Sequence, residues 1–72
     1  MEISFGEKIK MLREESELNQ TQLGEKVQMT QRKISYIECS KCEPSIDDIR
    51  IFCKFFNVSA DYLLSIEPNN TI

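Results

Sequence analysis

Apolar residues along this chain recur at helical spacing. Phe5, Ile9 and Leu12 stand at i, i+4 and i+7, which is one face of a helix. Just before them, Ser4 and Glu7 make a capping box: the serine accepts from an early amide while the glutamate reaches back. A first helix is therefore predicted over about 5–16. Asn19 and Gln22 repeat the box, and Leu23 and Val27 give a second helix an apolar stripe ending near 27. Thr30 is the next N-cap, ahead of Gln31-Arg32-Lys33. Ile34 and Ile37 supply the buried side of a third helix over about 31–38.

Ser45, directly after Pro44, caps a fourth helix, and Asp47 and Asp48 in its first turn suit the positive end of the helix dipole. Ile46, Ile49, Cys53 and Phe56 form its expected inward stripe, with Phe52 beside it. Asn57 fits the left-handed position that ends a helix. Ser59 caps a last helix over about 60–66 that carries Leu63 and Leu64. No segment alternates with period two for long enough to argue a strand. The expected class is all-α: a compact five-helix domain over residues 1–66, with a short C-terminal tail over 67–72.

A chain of 72 residues has room for a single domain. Hydrophobic residues at 40% and charged residues at 29% are ordinary for a folded domain and argue against wholesale disorder. No apolar run approaches about 18 residues, so no membrane span is expected. The N-terminus carries charge where a secretory signal needs an apolar stretch, which makes a cytoplasmic location the expectation. The chain has no His, the commonest general base and metal ligand. No nucleophile–base pair or phosphate-binding loop stands out, so neither an enzyme nor a cofactor nor a small-molecule substrate is expected. Cys39, Cys42 and Cys53 read as free thiols in a reducing compartment. Cys39-x-x-Cys42 has metal-like spacing, but a structural zinc site takes four ligands and no His or second CxxC is available.

The net charge of −3, taken alone, argues against nucleic acid. Its distribution changes the picture. Arg32, Lys33 and Lys41 face Glu38 alone within 31–42, whereas Arg50 and Lys54 face five acids within 43–72. The middle of an acidic chain is locally basic. The same middle holds two helices of about two turns joined by three residues, Gln28-Met29-Thr30. So short a link forces a sharp turn. Gly24, one turn before the end of the second helix, lets the backbone of the third helix pass close. With Ile34 and Ile37 inward, Gln31, Arg32, Ser35 and Tyr36 point away. Glutamine pairs with adenine N6 and N7, and arginine with guanine O6 and N7, in a major groove. An ordinary solvated helix presents a polar face too, and the residues by themselves leave both readings open.

From Phe5 to Leu64 the sequence resembles the Cro/CI-type helix-turn-helix domain, also called lambda-repressor-like or XRE-type. The match is carried by Ile9-Lys10-x-Leu12-Arg13, by Leu18-Asn19-Gln20-Thr21-Gln22-Leu23-Gly24, and by Thr30-Gln31-x-x-Ile34-Ser35-x-Ile37-Glu38. Pro44-Ser45 and Val58-Ser59-Ala60-Asp61-Tyr62-Leu63-Leu64 fall where that family begins its fourth and fifth helices. The resemblance implies a lambda-repressor-like fold with the helix-turn-helix in helices 2 and 3. It also implies a sequence-specific regulator of transcription that binds double-stranded DNA, a repressor of bacterial or phage kind. Gln31, Arg32 and Tyr36 fall on base-reading positions. Gln20 and Thr30 fall on phosphate-contacting positions, and Lys33, Ser35, Ser40 and Lys41 lie near the DNA backbone. Arg13 and Glu38 fall where an ion pair ties helix 1 to helix 3. Relatives bind palindromic operators as two-fold dimers, and Ile51, Phe55, Tyr62, Leu64 and Ile66 offer an apolar surface for a homodimer. The alternative use of that surface is a protein-interaction module such as an antitoxin or antirepressor. Four positions depart from the family pattern: Gln28 and Ser40 stand where Gly is common, and Cys39 and Cys42 replace polar or basic residues.

Overall fold

The computed structural model describes residues 4–64. Five α-helices follow in order: α1 Phe5–Glu15, α2 Gln20–Val27, α3 Gln31–Glu38, α4 Ile46–Phe56 and α5 Ala60–Leu63. Each is started by the side chain foreseen from the sequence. Ser4, Asn19 and Ser45 close reciprocal capping boxes with Glu7, Gln22 and Asp48. Thr30 accepts from the Lys33 amide at 3.1 Å and Ser59 from the Tyr62 amide at 3.1 Å. Among the described residues there is no strand, and no helix is long and apolar enough to cross a membrane.

The four longer helices end alike. Glu17, Gln28, Ser40 and Asn57 adopt left-handed backbone with φ of 58–60°. Behind each, the following amide bonds a carbonyl five residues back: Leu18 to Arg13, Met29 to Gly24, Lys41 to Tyr36 and Val58 to Cys53. Gln28 and Ser40 thus do what Gly does in other members of the pattern, at a steric cost of roughly 1–2 kcal/mol each.

Ile9, Leu23, Val27, Ile34, Ile37, Phe52 and Leu63 form the core, one or two from every helix. Phe5 meets the Phe52 ring edge-on at 6.1 Å and Phe56 stacks with it at 6.3 Å. Phe52 is therefore the centre of the α4 stripe, not its neighbour. The expected inward position of Ile46 is wrong: it is 75% exposed. At 3.6 residues per turn, Ile46 lies about 120° around the helix from Phe52, beyond the buried edge. The stripe is instead Phe52, Cys53 and Phe56, with Asp48 buried one turn before Phe52 and Ile49 half-buried beside it. The last helix stops at Leu63 with Leu64 as its C-cap, short of the expected 66. Leu63 is buried and Leu64 exposed. Ile66 and the expected tail over 67–72 lie outside the described residues.

Helix α3 packs against both α1 and α2, and α4 against α5. Two glycines permit the close approaches. A Cβ on Gly24 would collide with the Met29 carbonyl of the α2–α3 turn, and one on Gly6 with the Ile37 carbonyl at the end of α3. The neighbour at Gly24 is thus the turn entering α3, not the backbone of α3 itself as expected.

Candidate nucleic-acid interface

Helix α3 owes its pose to the two faces of its own sequence. Ile34 and Ile37 are buried at 0% and 1% exposure. Their burial turns Gln31, Arg32 and Tyr36 to solvent on the opposite side, and Tyr36 is 42% exposed. Thr30, Lys33, Ser40 and Lys41 are exposed around this edge, whereas Ser35 and Gln20 are half-buried. The polar edge is open along its length and lies beside the N-terminus of α2.

A chain of hydrogen bonds sets its geometry. Arg13 grips Glu38 with one edge of its guanidinium: Nε donates to Oε2 at 2.6 Å and Nη2 to Oε1 at 3.2 Å. Arg13 Nη1 also donates to the Leu18 carbonyl at 2.8 Å, tying α1 to the segment that enters α2. The hydrogen bonds to Glu38 raise the Arg13 pKa against the opposing pull of burial. Gln20 Nε2 donates to Glu38 Oε1 at 3.0 Å, and Gln31 Nε2 donates to Gln20 Oε1 at 2.6 Å. The direction of this relay follows from chemistry. An ionised carboxylate only accepts, so Gln20 must offer Glu38 its amide NH₂ and turn its carbonyl toward Gln31. Gln31 must then donate inward, leaving its own Oε1 to face outward. A buried charge thereby orients an exposed glutamine on the outer edge of α3.

A second ion pair holds the other end. Lys33 Nζ lies 3.1 Å from Asp48 Oδ1. Asp48 also accepts from the Ser45 amide at 3.1 Å as part of the α4 capping box. Burial pushes the Asp48 carboxyl up. The Ser45 amide, the Lys33 ammonium and the Ser45 hydroxyl outweigh it, and the pKa ends below the usual carboxylate value. Lys33 is thus not an unattached cation awaiting a partner. Nothing in the linear sequence joins positions 33 and 48; the only signal was the acid in the first turn of α4. Arg32 stands apart: its Cζ sits 5.8 Å from the centroid of the Tyr36 ring, one turn on.

On the far side, Ile51, Phe55, Tyr62 and Leu64 are 37–47% exposed. Phe55 meets the Phe56 ring edge-on at 5.0 Å. Lys8 donates to the Tyr62 carbonyl at 2.6 Å and lies over its ring, tying α1 to α5. Four of the five residues expected at a dimer contact are thus exposed, Ile51 and Phe55 on α4 and Tyr62 and Leu64 on α5 and its C-cap; Ile66 is outside the described residues. Cys39 and Cys42 are exposed free thiols just beyond α3, and Cys53 is a half-buried one in α4.

Two short helices meeting through a three-residue turn, within a five-helix frame, define a helix-turn-helix domain, and the chain belongs to that family. The family described as Helix-turn-helix domain matches residues 4–64. The fold is the lambda-repressor-like, Cro/CI-type form: the P22 c2 repressor, solved in complex with a synthetic operator, superposes with a TM-score of 0.83. It shares 30% identity over 92% of this chain and all of that one. PlcR of Bacillus thuringiensis, solved with the peptide PapR7 and DNA, superposes with a TM-score of 0.75. It is 25% identical over 92% of this chain and 24% of its own. In sequence, the HTH-type transcriptional activator BcrR of Enterococcus faecalis is 37% identical over 70 residues, which is 97% of this chain and 34% of that protein. The chain spans about a third of this relative's length.

Proposed function

We propose that the chain binds double-stranded DNA in a sequence-specific way and regulates transcription in the cytoplasm, with α3 in the major groove. Gln31, Arg32 and Tyr36 form the base-reading edge, and Gln20, Thr30, Lys33, Ser35, Ser40 and Lys41 contact the phosphate backbone. The observation that carries this reading is the relay from Glu38 through Gln20 to Gln31, which holds a base-reading side chain in a set orientation on an exposed polar edge. The likeness to a repressor solved on its operator supports it. Lys33 reaches phosphate with its two remaining N–H groups while keeping Asp48. Two copies pair through Ile51, Phe55, Tyr62, Leu64 and Ile66 on a palindromic operator, with half-sites about 34 Å apart. The regulator represses by occupying that site and excluding polymerase. No catalytic activity, cofactor or metal enters this reading.

The test is binding to duplexes selected from a random library, followed across salt. Affinity should fall steeply between about 50 and 200 mM salt, linearly on logarithmic axes. Arg32→Ala should cost about 1–3 kcal/mol and relax base preference at one position, whereas Lys41→Ala should weaken all duplexes alike and reduce the salt slope by about one. Equal binding of every duplex by wild type and Arg32→Ala would remove α3 as the reader. The exposed apolar residues of α4 and α5 favour one other reading, a module that binds a protein partner, as an antitoxin or antirepressor does. Its affinity would hardly change across the same salt range. Sedimentation at micromolar concentration separates the dimer from the monomer.

A further inference from the structure

The outer edge of α3 carries two cations, and the fold treats them differently. Lys33 is engaged by the buried carboxylate of Asp48. Arg32 has no carboxylate partner among the described residues; what it has is the ring of Tyr36, 5.8 Å from guanidinium carbon to ring centroid. A guanidinium on an aromatic face keeps all five N–H donors free in its own plane, at its rim. Two of those donors are the ones that guanine O6 and N7 accept in a major groove. An exposed arginine otherwise samples many rotamers, and freezing them on binding costs affinity. The ring reduces that cost because Arg32 waits near one position.

We propose that Tyr36 is a positioning residue that holds Arg32 for guanine in the major groove, and that its own hydroxyl reads no base. This rests on the DNA-binding reading above and narrows it: Arg32 is the single charged base reader of α3, its target is guanine, and Tyr36 acts through it. Lys33 is withheld from the bases by Asp48, so the guanine preference comes from one side chain and the ring beneath it.

The experiment compares wild type, Tyr36→Phe, Tyr36→Leu, Arg32→Ala and the double variant Arg32→Ala/Tyr36→Leu. Each is measured on the duplex selected by wild type and on the same duplex with adenine in place of the guanine that Arg32 reads. Melting temperatures are recorded alongside; Tyr36 is exposed enough for all variants to fold. Tyr36→Phe keeps the ring and should retain the guanine preference. Tyr36→Leu should lower that preference about two- to fivefold, the size of an exposed guanidinium–ring contact. In the Arg32→Ala background, Tyr36→Leu should change nothing further, which a merely structural role for the ring would not produce. Three outcomes overturn the proposal: Tyr36→Phe losing as much as Tyr36→Leu, which makes the hydroxyl a reader; Tyr36→Leu leaving the preference intact; or additive effects in the double variant. Failure of wild type to select any duplex would instead overturn the DNA-binding reading itself.

Discussion

Helix α3 is held at its two ends by ion pairs of opposite character. At the C-terminal end, both partners of Arg13–Glu38 are nearly excluded from water, with side-chain exposures of 11% and 3%. Three further bonds, to Leu18, Gln20 and through Gln20 to Gln31, leave little polar valence unused. At the N-terminal end, Asp48 is buried but Lys33 is 44% exposed. The first pair is a fixed joint, since removing either member strands a charge that is largely shielded from water. The second is a tether, screened on one side by solvent and dispensable for the core. Helix α3 is therefore anchored rigidly where it meets α1 and allowed to adjust where, in the proposed complex, it meets DNA.

The contrast can be broken most directly at the buried joint. Glu38→Ala should destabilise the domain by about 3–5 kcal/mol, seen as a collapse of the chemical or thermal unfolding midpoint. It should weaken DNA binding through loss of fold, although Glu38 faces no base. The paired replacement Arg13→Met with Glu38→Leu should recover most of that stability, because well-packed apolar residues replace a buried ion pair at little net cost. It should not recover affinity, since Gln20 and Gln31 lose the charge that orients them. An unchanged midpoint in Glu38→Ala would show the joint to be no joint.

At the tether, Lys33→Ala should lower stability by no more than about 1 kcal/mol, an effect that shrinks as salt is added. A loss comparable to that of Glu38→Ala would erase the distinction between the two ends. The smallest expected effect is on acid stability. The folded-state pKa of Asp48 is depressed, so its contribution is fully present above the unfolded carboxylate value of about 3.9 and is lost as pH falls through the lower folded value. Asp48→Asn should therefore show a shallower fall in unfolding free energy below about pH 4 than wild type, with the two curves parallel above it.

How much of this was legible in the sequence depends on the range of the forces involved. Ser4, Asn19, Thr30, Ser45 and Ser59 could be named as caps because a cap bonds amides two or three residues away. Ile34 and Ile37 set the outward face of α3 for a similar reason. The apolar pattern misplaces Ile46 because the buried direction of α4 is chosen by what packs on Phe52, namely Phe5 from α1, and apolar spacing alone fits more than one rotation of a helix. Lys33 points to phosphate only through the position it matches in the family. Its bond to Asp48 depends on how α4 lies against the helix-turn-helix, which no residue near position 33 records.

From the chain alone came the five helices, their starts, the ends of all but the last to within a residue or so, and the polar character of the edge that α3 presents, since each rests on interactions spanning at most about five residues. The assembled domain decided which charges became joints, which glutamine was oriented, and which arginine was left to an aromatic ring. Those outcomes rest on pairs separated by 11 to 25 positions, such as Gln20–Gln31, Lys33–Asp48 and Arg13–Glu38, the last of them expected only through the family resemblance, or on a charge with no carboxylate partner among the described residues. Contacts at that separation exist only after the core around Phe52 has brought the helices together, because the hydrophobic effect that assembles them is indifferent to which polar groups meet at its margin.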